Sequence, residues 1–175
     1  MSDDANSEAS PPEPPPTNAD ATAASGETAD AAESVIQRHV VAAMAAGLVP
    51  VPMADLAALV AVQINMLRAI GELYDEPFTD SLGRSLLASL AGGLVPLSSA
   101  SLLKGVPLIG PLLGGVSAPI LSGASTYAVG RVFVMHFESG GTFLSFDPDK
   151  VRDHYEREFA RGEALLRERD DNRRP

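Results

Sequence analysis

The sequence predicts an all-α protein of about five helices built around a central apolar hairpin. Three observations predict it. Apolar residues recur at three- and four-residue spacing along several stretches. Gly and Pro punctuate the chain where helices would stop. Between Ser85 and Gly130, Lys104 is the one charged residue.

The chain of 175 residues has room for one modest domain and a tail. Residues 1–30 carry seven acidic side chains and no Lys or Arg, with Pro11-Pro12-Glu13-Pro14-Pro15-Pro16 at their centre. Such a composition cannot bury enough apolar surface to offset its ordering entropy, so it reads as a disordered acidic tail. Of the formal net charge of -10, only -3 falls on the rest of the chain. That near-neutral body has no basic stripe and argues against nucleic acid as a partner. Zero Cys excludes a disulfide frame, thiol catalysis and Cys-ligated metal, and agrees with a reducing compartment. The opening Met1-Ser2-Asp3-Asp4 has no basic start and no early apolar run, so internal segments would have to make any membrane contact.

A single helical domain is expected over residues 31–169, with a polar tail over 170–175. Its first helix runs from about Ala31 to Ala46, with Val35, Ile36, Val40 and Met44 on one side. Gly47 stops it, and Leu48-Val49-Pro50-Val51-Pro52 forces an extended connector. The second helix begins near Ala54, with Asp55 in its first turn, where negative charge suits the helix dipole. Leu56, Val60, Gln63, Leu67, Ile70 and Tyr74 form its apolar stripe, ended by Asp75-Glu76-Pro77. Gln63 is the polar intruder, expected to bond a neighbouring helix.

Ser85–Leu103 and Gly105–Gly130 are free of charge and long enough to cross about 30 Å of hydrocarbon as helices. Gly, Ser, Thr and Pro dilute them, and Pro96 could kink the first or make it re-entrant. Between them, Lys104-Gly105-Val106-Pro107 forms a turn. Gly110, Gly114, Ala118, Ser122, Thr126 and Gly130 recur every fourth residue and make a groove of small side chains, a device for close helix packing in lipid. Arg68, Arg84, Arg131, Lys150 and Arg152 flank the hairpin and place both ends in the cytoplasm. Tyr127 and Arg131 lie one turn apart; Arg131 is expected to reach headgroups or to pair with an acid such as Asp55. Asp147 and Pro148 mark the N-cap and first residue of a last helix, with Phe146 and Val151 as its hydrophobic staple. Val151, Tyr155, Phe159 and Leu166 form its narrow apolar line.

No catalytic set, cofactor motif or metal set is found. Ser101-Leu102-Leu103-Lys104 has the spacing of a Ser–Lys pair but lacks the companion motifs of such hydrolases. Asp147-Pro148-Asp149 with Asp153 fails as a calcium loop, because Arg152 stands where the turn glycine belongs. His39, His136 and His154 share no ligand spacing.

Leu48-Val49-Pro50-Val51-Pro52-Met53-Ala54-Asp55-Leu56, Val62-Gln63-Ile64-Asn65-Met66-Leu67 and Leu73-Tyr74 together resemble the bacterial YcjF-like domain of unknown function. So do Lys104-Gly105-Val106-Pro107-Leu108-Ile109-Gly110 and Ser125-Thr126-Tyr127-Ala128-Val129-Gly130-Arg131. The likeness covers about residues 35–160, departing at Met53, where the family usually has Gly. The resemblance implies membrane association and a recurring link with GTPases. It carries over no catalytic residue. The chain lacks a Gly-x-x-x-x-Gly-Lys-Ser/Thr phosphate loop, so a GTPase partner would be a separate protein.

The expected function is therefore a non-enzymatic anchor or adaptor associated with lipid at the bacterial cytoplasmic membrane. The alternative is a cytoplasmic helical bundle that acts as a homo-oligomeric scaffold.

Overall fold

The computed structural model describes residues 18–48, 54–94 and 117–172, except for the side chains of 18–22, 54–55 and 91–94. They form five α-helices: α1 (Asn18–Ala46), α2 (Ala54–Leu73), α3 (Asp80–Leu94), α4 (Ala118–Glu138) and α5 (Pro148–Asp171). A 3₁₀ turn, Phe143–Ser145, joins α4 to α5. The architecture is all-α, with no strand among the described residues.

α1 begins at Asn18, well ahead of the expected Ala31. Its buried face of Ala32, Val35, Ile36, Val40 and Ala43 forms a packed nucleus. From such a nucleus, Ala-rich sequence extends a helix at one backbone bond per added residue. Thr28 and Ser34 also bond the carbonyls four residues back. Of the tail expected over residues 1–30, residues 18–30 belong to α1 instead, and residues 1–17 lie outside the described residues.

α2 follows its stripe in part. Gln63, Leu67 and Ile70 are buried, along with Ile64 and Met66, whereas Leu56 at the N-terminal end is 56% exposed. Asp75 closes α2 in the left-handed region at φ 55, and the Glu76 amide donates back to the Gly71 carbonyl at 2.8 Å. α3 starts earlier than the uncharged stretch that suggested it. Thr79 caps it by accepting from the Leu82 amide, Asp80 lies in its first turn, and Asp80 pairs with Arg68 of α2.

α4 is the axis of the bundle. From Ser122 to Val134 every residue is buried except Ser125 and Arg131, which are half-buried. A helix apolar on all sides needs neighbours on all sides, and α4 has α1, α2 and α5. Its pairings give the directions. Gly47, just past the end of α1, meets Ala118 and Ser122, while Ile36 meets Gly130, so α1 runs antiparallel to α4. α5 is antiparallel too, with Gly162 beside Tyr127 and Leu166 beside Gly123. α2 runs parallel, from Gln63 near Thr126 to Tyr74 near Phe137.

Aromatic rings lock the C-terminal end of α4. Phe133 stacks on Phe146 at 4.4 Å between centroids, and Phe137 meets Phe143 edge-on at 4.8 Å. Asp147 caps α5 by accepting from the Asp149 amide at 3.1 Å, with Pro148 in the first turn.

Among the described residues, one helix is long and apolar enough to cross a membrane: α2 over Leu56–Leu73, at a mean hydropathy of 1.5. One third of that window is buried in the bundle, and core helices also meet this criterion. The hairpin tip, with Ser101, Lys104, Gly110 and Gly114, lies outside the described residues.

Candidate functional site

Small side chains bring α4 close to its neighbours. A Cβ added to Gly130 would sit 2.6 Å from Ile36 Cγ1, nearer than real Cβ atoms come. Ser122 and Thr126 are buried along the same line, and Ala118 stands exposed at its start. The part of the ladder from Ala118 to Gly130 therefore receives α1 and α2 of the same chain.

A polar seam crosses this apolar core. Gln63 of α2 donates through Nε2 to Ser125 Oγ at 3.3 Å and to Thr126 Oγ1 at 3.4 Å. Thr126 in turn donates to the Ser122 carbonyl at 2.9 Å. The Ser125 hydroxyl also bonds the Tyr155 hydroxyl of α5 at 3.2 Å. Burial pushes the Tyr155 pKa above the ordinary tyrosine value, and the Ser125 bond opposes that push. Three helices are thus fixed in register by one chain of neutral groups.

Arg131 sits about one and a half turns beyond Ser125 and Thr126 along α4. Its Nη1 lies 3.3 Å from Glu33 Oε2 of α1, and its Nε lies 3.8 Å from Glu158 Oε2 of α5. Arg161 reaches the same Glu158 oxygen at 4.0 Å. Glu33 and Glu158 are acids that face Arg131 among the described residues. Asp55 falls in the first turn of α2, with its side chain outside the described residues. Tyr127 packs under α5, its Cδ1 3.0 Å from the point a Cβ on Gly162 would occupy. Sequence reasoning missed Glu33, Glu158 and Gly162. Glu158 does stand three residues beyond Tyr155, so helical spacing already placed it on the buried face.

One Ser–His pair invites a catalytic reading. Ser145 Oγ lies 3.3 Å from His136 Nε2. That nitrogen also lies 2.9 Å from the Thr142 carbonyl, which can only accept, so it carries a proton. It therefore cannot take one from Ser145. The Ser145 hydroxyl already accepts from the Thr142 amide at 2.8 Å, completing a capping box. The pair holds a turn. No group of three potential metal ligands converges among the described residues.

At the opposite end of α4, a groove of about 530 Å³ opens between α1, α4 and α5. Val41, Met44, Leu48, Ser117, Pro119 and Ile120 line most of it, with Arg169 and Asp170 on its rim. Val41 is 61% exposed and Leu48 71% exposed.

These features define an all-α bundle threaded on a central buried helix, with polar ties inside and an apolar groove at one end. The chain belongs to the family described as "Domain of unknown function (DUF697)", which it matches over residues 19–159. It is similar to "Magnetosome membrane protein 22" of Magnetospirillum gryphiswaldense, with 48% identity over 139 residues that cover 77% of this chain and 71% of that protein. No solved structure matches it.

Proposed function

We propose that this chain is a membrane-associated helical module that anchors or adapts a partner and performs no chemistry of its own. The observation that carries the reading is its 48% identity, over most of both chains, to a protein named for the magnetosome membrane. The charge-free run broken only by Lys104 supports it, since the chain between α3 and α4 can enter lipid at small electrostatic cost. The bundle then stays on the cytoplasmic side of the bacterial membrane, together with both termini. The YcjF-like motifs suggest a separate GTPase as the partner that the exposed helix faces receive.

A second reading, an oligomeric soluble scaffold, has one observation in its favour. Ser122, Thr126 and Gly130 are already buried within the chain, so this part of the ladder is occupied without lipid. Membrane fractionation of the untagged protein separates the two. Retention in the pellet through alkaline carbonate supports insertion, whereas recovery in the initial soluble fraction supports the scaffold. Crosslinking in the membrane fraction tests the partner: recovery of a GTPase supports the adaptor reading, and its absence removes that part.

A further inference from the structure

The first two turns of α2 are apolar at every position. The run Leu56-Ala57-Ala58-Leu59-Val60-Ala61-Val62 has no polar side chain, and none of these residues is buried. α4 is likewise apolar on all sides, but three helices enclose it. In α2 one third of the apolar window Leu56–Leu73 is buried. The start of α2 therefore exposes more apolar surface than the bundle covers.

α3 borders this surface. Asp80 at its start pairs with Arg68, and Arg84, one turn on, lies with Val60 and Ile64 further back along α2, so the two helices are antiparallel. Between them runs a groove of about 260 Å³ lined by Leu56, Ala57, Val60, Ala61, Ile64 and Arg84. The five α2 residues share one face over about 12 Å of helix. Ala57 and Ala61 contribute methyl groups alone, which leaves room beside them. Arg84 is the one charged residue of the lining. It is exposed and makes no ion pair or hydrogen bond among the described residues.

An apolar groove with an uncompensated cation at its edge selects an occupant that has both a hydrocarbon part and an anion. A hydrocarbon chain enters a groove of this size. A partner helix, about 10 Å across with its side chains, would cover the groove without entering it. An arginine lays its methylene stem along apolar surface and keeps its guanidinium at the polar boundary, where it binds phosphate. We propose that the α2–α3 groove binds an anionic phospholipid of the bilayer, with an acyl chain against Leu56, Val60 and Ile64 and the headgroup phosphate on Arg84. This rests on the membrane-associated reading above and adds to it a selection of anionic over zwitterionic lipid.

The absence of native Cys makes the test direct. Ala61→Cys in the full chain is labelled with an environment-sensitive fluorophore, reconstituted into phosphatidylcholine vesicles and floated on a density gradient. The vesicles contain the same small fraction of either phosphatidylglycerol or phosphatidylcholine that bears a nitroxide on its acyl chain. The expected result is stronger quenching by the phosphatidylglycerol. Arg84→Gln should lower that selectivity about fivefold, the effect of one cation near an anionic surface. Arg152→Gln, on the first turns of α5 at the other end of the bundle, should leave it unchanged. Flotation with position 61 unquenched, or quenched equally by the two lipids, overturns this proposal alone. Equal losses from Arg84→Gln and Arg152→Gln assign the selectivity to diffuse charge and also overturn it. A blue shift at position 61 that follows protein concentration without vesicles assigns the groove to a second copy, with the same consequence. Failure to float removes the membrane reading itself, and the proposal with it.

Discussion

Arg131 on α4 and Glu158 on α5 face each other at 3.8 Å, and neither the Arg131 Nε nor the Glu158 Oε2 atom makes a hydrogen bond. The glutamate side chain is 11% exposed and the arginine 34%. Charge attraction rather than hydrogen bonding joins these two atoms, and Glu33 supplies the closer anion from α1. Removal of Arg131 would take this cation from both acids and leave Glu158 with the more distant Arg161 at 4.0 Å.

Arg131→Ala should therefore cost about 1–2 kcal/mol in urea unfolding. That is below the cost of breaking a fully buried pair, because water screens a third of the arginine. Arg131→Ala with Glu158→Ala should recover part of the loss, since the second change removes a mostly buried carboxylate left with the more distant Arg161. A double variant that loses the full sum of the two single losses would show that the pair is not coupled.

Two glycines should respond in opposite directions. Gly130→Val forces side-chain atoms into Ile36, where even a Cβ would lie at 2.6 Å, and overpacking of this kind costs about 1–3 kcal/mol. Gly26 in α1 has open space around it, so Gly26→Ala should stabilise by up to about 1 kcal/mol through helix propensity. Circular dichroism during thermal unfolding reads both. A neutral Gly26→Ala would argue against helix at that position.

Tyr155→Phe deletes the link to Ser125 and should cost about 0.5–1.5 kcal/mol at neutral pH. Burial raises the folded-state pKa of Tyr155 above 10.0. The folded chain then holds the phenolic proton more tightly than the unfolded chain. This contribution is complete below pH 10 and is lost as pH rises through the folded pKa. The phenylalanine variant should lose less stability than the parent above pH 10, as measured by denaturant midpoints across that range.

His154 gives a dependence at the acid side. Burial lowers its pKa from 6.5, opposed by Glu158 and assisted by Arg157 and Arg131. The unfolded chain takes up this proton first, so stability should fall as pH drops below 6.5 towards the folded pKa. His154→Gln should flatten that part of the curve. An unchanged slope in the variant would assign the loss to other groups.

Much of the frame was legible before the structure. Val35, Ile36 and Val40 declared the buried face of α1 through their spacing, and Asp147-Pro148 declared the start of α5. Gln63 stood out as a polar residue in an apolar stripe. The start of α1 was not legible, because Ala- and Thr-rich sequence is helical or not according to what its C-terminal end packs against. The charge-free run beyond Ser117 looked like a membrane segment, yet Ser122 to Val134 is the protein's own core. Lipid tails and packed side chains both exclude charge, so composition does not distinguish them.

The sequence by itself determined the helical class, the helix stops and the uncharged character of the central third. Those properties follow from local spacing and backbone preference. Only the tertiary structure decided which face of each helix met which neighbour. It paired Arg131 with Glu33 and Glu158 and joined Gln63 to Ser125. It also brought Val41, Leu48 and Ser117 to one end. Each pairing joins helices far apart in sequence, and their relative placement is fixed by how the small and large side chains of α4 fit the three helices around it.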